Sequence, residues 1–414
     1  MLIWIVNPFD PLPGDPEQEG RYATLARLLT ARGHRVTWWT SSFSHRFKRP
    51  VDQAAIQAAC QSCGIDPLFV PGPPYSRNVS LARLWNHAIL ARNFRAAAAR
   101  CAERPDVIVA SSPPPGLAWS ATRLGRALGA KVVIDVQDLW PDAFTCLAPR
   151  VLRPALAPAI WAMRRNIRRA AAGCDAIVGV ADAYVEDFCR EAPTPKMTAT
   201  IPLGVDLAAF DAAVTAGRCP EFTKPAGHVW LAYTGSLNRN YDCLTVLYAA
   251  AKVGDRLGEH VRFFVTSRGE LLAQAEQIVR DLNLRSVSLT GFLPFEKWAY
   301  LLTQCDAGFN ASFPETMIFL PNKVFYYLAA GVAVLNTIPG QCSRVVREGG
   351  CGLDYRAGDA DSCAAAIEQI VRDGPARAAM GQASRKLAET TYDRALLFPR
   401  YAALIEQLGE APVT

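Results

Sequence analysis

A lysine placed two residues after a proline, where a helix is expected to begin, is the strongest chemical signal in this chain. Pro321 and Asn322 suit a helix opening, Phe325, Leu328 and Ala329 give it an apolar face, and Gly331 stops it before the strand-like run Val332–Leu335. A helix start leaves backbone N–H groups unpaired and carries the positive end of the dipole, so it attracts phosphate or diphosphate. Lys323 adds a full charge in the first turn. Upstream, Tyr233-Thr-Gly-Ser-Leu-Asn-Arg239 reads as a strand end, a turn at Gly235 and Ser236, and a cation before a helix near Asp242. Arg268, in Thr266-Ser-Arg-Gly-Glu270, follows the next strand. In the first half, Asp135-Val-Gln-Asp-Leu-Trp-Pro-Asp142 also follows a strand, where open α/β sheets place their sites. Gln137 and Asp138 are the catalytic candidates, Asp138 as base or orienter of a hydroxyl. An Asp there also suits a helix cap. Gly14, in the loop after the first strand, permits close backbone approach to a phosphate or sugar. That loop is not G-x-G-x-x-G, so a dinucleotide is not indicated.

These residues must be carried by two successive strand–helix alternations. The first predicts strands at Leu2–Val6, Val36–Thr40, Val107–Ala110, Val132–Val136 and Ala176–Val180. Helices are expected over Tyr22–Ala31, Ala118–Leu128 and Leu152–Ala170. The second predicts strands at Trp230–Tyr233, Arg262–Val265, Val287–Leu289, Ala307–Phe309 and Val332–Leu335, then a helix over Tyr392–Leu408. Pro202 and Gly204, within Ile201–Asp206, suit a hinge between two Rossmann-like α/β domains.

At 414 residues, half of them hydrophobic, the chain can fill two cores and is not disordered. No apolar run reaches the roughly 18 residues of a membrane span, and Met1–Val6 reads as a strand, not a signal peptide. The 12 cysteines form no framework, which suits reduced thiols in a cytoplasm. Residues 1–205 hold 24 Lys+Arg against 16 Asp+Glu, a balance of +8; the remainder is at −2. The basic half faces either phosphates or an anionic membrane, or its arginines decorate solvated helices. Trp38–Arg49 alternates aromatic and basic residues and suits an acceptor or lipid-headgroup surface; Arg153, Arg164, Arg165, Arg168 and Arg169 add charge.

Residues 321–331 resemble the "P-x-K-x-x-E-Y-L-A-x-G" segment of family 4 glycosyltransferases, retaining, nucleotide-sugar-dependent enzymes of GT-B fold. Tyr326 stands where the family has the Glu that holds the donor ribose. Ile318 stands where it usually has a second acid, and Glu315 lies nearby at another spacing. Asp135–Pro141 resembles the "D-x-x-D-L-W-P" of the branch near fucosamine-type sugar transferases. Ile201–Asp206 resembles the interdomain "I-P-N-G-V-D". Gly291–Pro294 and Cys305–Ala307 match two further stations. The resemblance implies an acceptor domain over 1–205, a donor domain over 206–390, a cleft between them, and a terminal segment 391–414 crossing back. It implies donor contacts from Gly14, Gly235, Ser236, Arg239, Arg268, Pro321, Asn322, Lys323, Tyr326 and Tyr327, with no metal and no cofactor beyond the nucleotide-sugar co-substrate. The expected partners are that donor, with UDP its nucleotide, and a glycan or polyprenyl-linked acceptor of bacterial surface polysaccharide assembly, reached at the inner face of an anionic plasma membrane; no nucleic acid is expected. The alternative is a catalytically silent GT-B module that binds a glycan or protein.

Overall fold

The computed structural model describes residues 1–14, 20–78, 80–142, 145, 153–192 and 197–410. The chain divides into two compact units, Met1–Pro202 with Leu397–Thr414, and Leu203–Leu396.

The first unit is built on strands β1 (Leu2–Val6), β2 (Arg35–Ser41), β5 (Ile65–Val70), β6 (Val107–Ser112), β7 (Lys131–Val136), β8 (Ala176–Gly179) and β9 (Met197–Thr200). They form one parallel sheet in the order β5-β2-β1-β6-β7-β8-β9. Ile3 of β1 pairs with Val36 on one side and Val107 on the other. Parallel pairing needs long crossovers, and helices such as Arg21–Ala31, Leu81–Ala98, Pro115–Leu128 and Arg153–Gly173 supply them. Leu152 and the side chain of Arg153 lie outside the described residues. Helices on both faces explain why β1 is an unbroken apolar run. A short antiparallel hairpin of β3 (Phe43–Ser44) and β4 (Arg49–Pro50) follows β2.

The alternating aromatic and basic run from Trp38 does not form one surface. Trp38 and Trp39 are on β2 and buried, with the Trp38 indole donating to the Asn7 carbonyl at 3.0 Å; Phe43 is buried too, leaving Arg46, Phe47 and Arg49 exposed.

The helix Arg394–Glu410 belongs to the first unit from Leu397 on. Leu397, Phe398, Tyr401 and Ile405 share its core with Ile3, Tyr22 and Trp38. Beneath them lies a buried ion pair. The Arg21 guanidinium meets the Asp135 carboxylate at 2.7 and 3.1 Å, donates to the Ile201 carbonyl at 2.7 Å, and lies over the rings of Tyr401 and Phe398.

The second unit carries β10 (Val229–Thr234), β11 (Val261–Thr266), β12 (Val287–Leu289), β13 (Ala307–Asn310), β14 (Ala333–Asn336) and β15 (Gly352–Asp354). These are parallel in the order β12-β11-β10-β13-β14-β15. Helix Asn322–Ala330 packs on β13 where Gly308 leaves room: a Cβ there would overlap the Tyr327 ring. Gly331, at φ +67°, ends that helix, and the Val332 N–H closes on the Tyr327 carbonyl, so β14 begins at Ala333 and not at Val332.

Removing one partner of a buried ion pair costs about 3–5 kcal/mol. Arg21→Met should therefore lower the urea stability of the first unit by that order. Seven of the nine tryptophans lie in this unit, so their fluorescence reads it; a loss under about 1 kcal/mol would show the pair to be dispensable.

Candidate functional site

In the second unit the site residues gather at the carboxyl ends of β10, β11 and β13 and at the start of helix Asn322–Ala330. Pro321 occupies the N-cap and no side chain caps this start. Lys323 is buried. Its ammonium donates to the Ala311 carbonyl at 3.2 Å and lies 5.0 and 4.6 Å from the ring centroids of Tyr233 and Tyr241. Its aim is toward the turn after β10, where a Cβ on Gly235 would stand 3.9 Å from it; the φ of +119° makes glycine the fitting residue there. Burial pushes the Lys323 amine down to about 7, opposed by Cys243, Cys342 and Asp242. Among the described residues no carboxylate is within ion-pair distance, because Asp242 instead accepts the Gly358 N–H at 2.7 Å. This is a cation held at a helix start with aromatic faces in place of a counter-ion.

The turns after β10 and β11 are zipped together. Leu237 N–H donates to the Arg268 carbonyl at 2.9 Å, Leu271 N–H donates to Leu237 at 3.0 Å, and the Ser267 hydroxyl bonds the Gly235 carbonyl. Ser236 is exposed and its carbonyl accepts from the Tyr233 hydroxyl. Arg239 is exposed, 3.8 Å from Glu270, and Arg268 lies over the Phe292 ring. Asn322 is exposed at the helix start. These residues share one edge with Lys323.

The two tyrosines do not. Tyr327 is a core residue: its hydroxyl accepts from Thr234 N–H at 3.1 Å and donates to the Phe309 carbonyl at 3.1 Å, so its expected donor role is corrected. Tyr326 packs among Phe210, Phe295 and Trp298 at centroid distances of 6.2, 6.1 and 5.0 Å, and burial raises its phenol above the usual range. That is an aromatic cluster, and it explains a Tyr at this position without a ligand.

In the first unit, Gln137 and Asp138 follow β7 at the sheet's carboxyl edge. Asp138 accepts the Leu139 N–H at 2.9 Å, and burial raises its carboxyl, opposed by that bond, by Trp140 and by Arg83. A raised carboxylate is the better proton acceptor. The Gln137 amide nitrogen is buried with no hydrogen-bond partner among the described residues. Gly14 has φ +86°, and a Cβ there would lie 2.6 Å from the Ala59 Cβ. Glycine is required there by its packing on helix Gln53–Gln61, which accounts for the residue without a ligand. Sequence reasoning missed Tyr233 and Tyr241, whose flanking of one glycine turn was the available signal, and Arg83, which lies over the Trp140 ring at 4.7 Å.

Two parallel α/β units with this arrangement have the fold of GT-B proteins. Sucrose-phosphate synthase from Thermosynechococcus elongatus matches at 16% identity with a TM-score of 0.71, over 98% of each chain. The glycosyltransferase WaaG of lipopolysaccharide biosynthesis matches at 15% with 0.68, over 98% of this chain and 99% of its own. HepE of Anabaena, solved with UDP, matches at 14% with 0.68, over 98% of this chain and 100% of its own. Residues 19–209 match the model of Glycosyltransferase Family 4, and residues 228–373 that of Glycosyl transferases group 1. The first match lies almost wholly in the first unit and the second within the second unit, and together with the fold they support a family 4-type GT-B glycosyltransferase. No curated protein sequence matches the chain.

The buried amine at position 323 has a folded pKa below the roughly 10.4 of an unfolded lysine. The unfolded state therefore binds more protons between about pH 7 and 10, and unfolding free energy rises with pH across that window. Lys323→Met should stabilise the protein by about 1–3 kcal/mol at pH 7. Its advantage should shrink by pH 9.5 in urea melts; a gap that widens with pH would contradict the assignment.

Proposed function

We propose that the second unit binds the diphosphate of a UDP-sugar and that the chain transfers the sugar, with retention, to a glycan or polyprenyl-linked acceptor in bacterial surface polysaccharide synthesis. The observation that carries this is Lys323, an unpaired buried cation at an uncapped helix start. A helix dipole and a lysine can together balance a leaving diphosphate without a metal. Arg239 and Arg268 are placed on the same edge to add charge. HepE, solved with UDP, supports the choice of nucleotide. With Tyr326 packed among aromatic rings, the ribose contributes little and the diphosphate supplies most of the affinity. Asp138 is the group for the acceptor hydroxyl, with Gln137 its neighbour.

A charge-assisted contact to phosphate is worth about 1.5–3 kcal/mol, or about 10–150-fold in affinity. Calorimetry should show that loss for UDP in Lys323→Ala, with Arg239→Ala weaker in effect. Unchanged binding in both would overturn the donor site, and inversion at the anomeric carbon in product NMR would overturn retention.

The acceptor side is read as working at the cytoplasmic face of an anionic membrane. Trp85 and Trp161 are 62% and 61% exposed, and the Arg165 guanidinium lies over the Trp161 ring at 5.3 Å. No helix among the described residues is long and apolar enough to cross a membrane. Sedimentation with anionic vesicles should exceed that with neutral ones and fall as salt rises, since exposed charges are screened over about 8 Å at physiological strength. Equal sedimentation with both would count against membrane docking.

The missing carboxylate at position 326 favours one other reading, a GT-B module that binds a glycan or protein without turnover. Donor hydrolysis or transfer by the purified chain separates the two.

A further inference from the structure

We propose that Lys48 and Arg83, set among His45, His87 and Tyr75 in the first unit, form a binding site for a phosphoryl group carried by the acceptor. This rests on the reading of the first unit as the acceptor side and names the chemistry that side recognises.

The groups come from three directions. Lys48 stands in the turn of the β3–β4 hairpin, Tyr75 in the segment after β5, and Arg83 and His87 one turn apart on helix Leu81–Ala98. The Lys48 ammonium donates to Asn78 Oδ1 at 2.6 Å and to the His45 carbonyl, and lies 4.8 Å from the Tyr75 ring centroid. The His45 Nδ1 is 2.5 Å from the Tyr75 hydroxyl. Arg83 donates to the Asn78 carbonyl at 2.8 Å, and its Nε is 3.4 Å from His87 Nε2. Its guanidinium lies over both Trp140 and Phe9, and the Phe9 ring is 5.2 and 5.4 Å from those of His45 and His87. The result is a cluster of aromatic rings gathered around two cations.

Three features oppose a purely structural role. No carboxylate is within ion-pair distance of either cation among the described residues, Asp138 acting on Arg83 only from farther off, although both cations are partly withdrawn from water. Burial first, then the neighbouring Arg83, pushes the Lys48 amine down to about 8. Two cations are therefore held where an anion would relieve them. Arg83 is in the first turn of a helix capped by Ser80, the end at which a positive charge is disfavoured. Lys48 has φ +55°, a left-handed conformation unusual for a residue with a Cβ, and the hairpin holds it there.

The cluster's donors suit phosphate over carboxylate. Burial, with Arg83 next in weight, pushes both imidazoles down to about 3, so each is neutral near pH 7 and carries one N–H, on the nitrogen away from the Lys48 and Arg83 donors. Lysine, arginine and imidazole donors arriving from separate elements match a tetrahedral group with several oxygens; a planar carboxylate is met by a single guanidinium fork.

The test is calorimetry on the full chain saturated with UDP, so that the second unit is filled, titrated with inorganic diphosphate. Saturable binding is expected. Arg83→Gln and Lys48→Gln should each weaken it at least tenfold, while UDP affinity in both stays within twofold of wild type and circular dichroism is unchanged. Lys48 sits in a surface hairpin, so its variant keeps the test alive if Arg83→Gln fails to fold. Glucose 6-phosphate and a polyprenyl diphosphate-linked sugar in detergent should compete with diphosphate; whichever competes better tells a soluble source from a lipid one. No binding at about 10 mM, variants indistinguishable from wild type, or glucuronate competing as well as the phosphates would each overturn the proposal. If UDP fails to bind yet diphosphate binding still depends on Arg83, the donor assignment falls and this one stands.

Discussion

The buried pair of Arg21 and Asp135 is the constraint around which the first unit is arranged. A buried ion pair gains little over well-packed apolar residues, so its value lies in position. Asp135 is the next-to-last residue of β7, and the guanidinium that fixes it also holds the Ile201 carbonyl and the ring of Tyr401. One side chain thus sets the first helix, a central strand, the end of the sheet and the terminal helix in a single geometry. Three residues beyond Asp135 comes Asp138. The carboxylate proposed to meet the acceptor thus follows directly on this fixed strand end, where the Leu139 N–H holds it.

Charges elsewhere sort by whether they have such a partner. Lys224 and Arg377 share the Asp306 carboxylate at 2.7 and 3.2 Å, and Arg385 is bound by Asp211. These are braces. Lys323, Lys48 and Arg83 have rings, carbonyls and amides around them instead. All three lie near the carboxyl ends of parallel strands, where helix starts converge and backbone N–H groups add to the positive field. A protein that only needed to fold would gain by replacing such residues with apolar ones.

What could be seen in the sequence followed from burial. Strands in the sheet centres, such as Leu2–Val6 and Val107–Ser112, are continuous apolar runs because helices cover both faces. Edge strands left fainter traces. Ile65–Val70 contains Pro67, tolerated only where one side lacks a partner strand, while Met197–Thr200 and Gly352–Asp354 have few apolar residues. Lys323 was legible because a helix start and a cation are local features. The burial of Trp38 and Tyr327 was not, because an aromatic side chain reads alike on a core face and a binding face. The group around Lys48 and Arg83 was out of reach for another reason. Its members are scattered from Phe9 to Trp140, and only the order of strands in the sheet brings them together.

The terminal helix makes the first unit discontinuous along the chain, and that has a bearing on how the protein is made. Leu397, Phe398 and Tyr401 complete a core whose other walls are finished by Pro202. A ribosome adding about 5–20 residues per second needs on the order of 10–40 s to deliver the intervening segment. For that interval the nascent first unit carries an open apolar groove over Tyr22, and Arg21 lacks the aromatic rings that later cover it. The second unit, an unbroken stretch of sequence, can close meanwhile. Synthesis thus favours an order in which the later-made half folds first and the earlier-made half waits for its last helix, a period when chaperone capture or aggregation competes with completion.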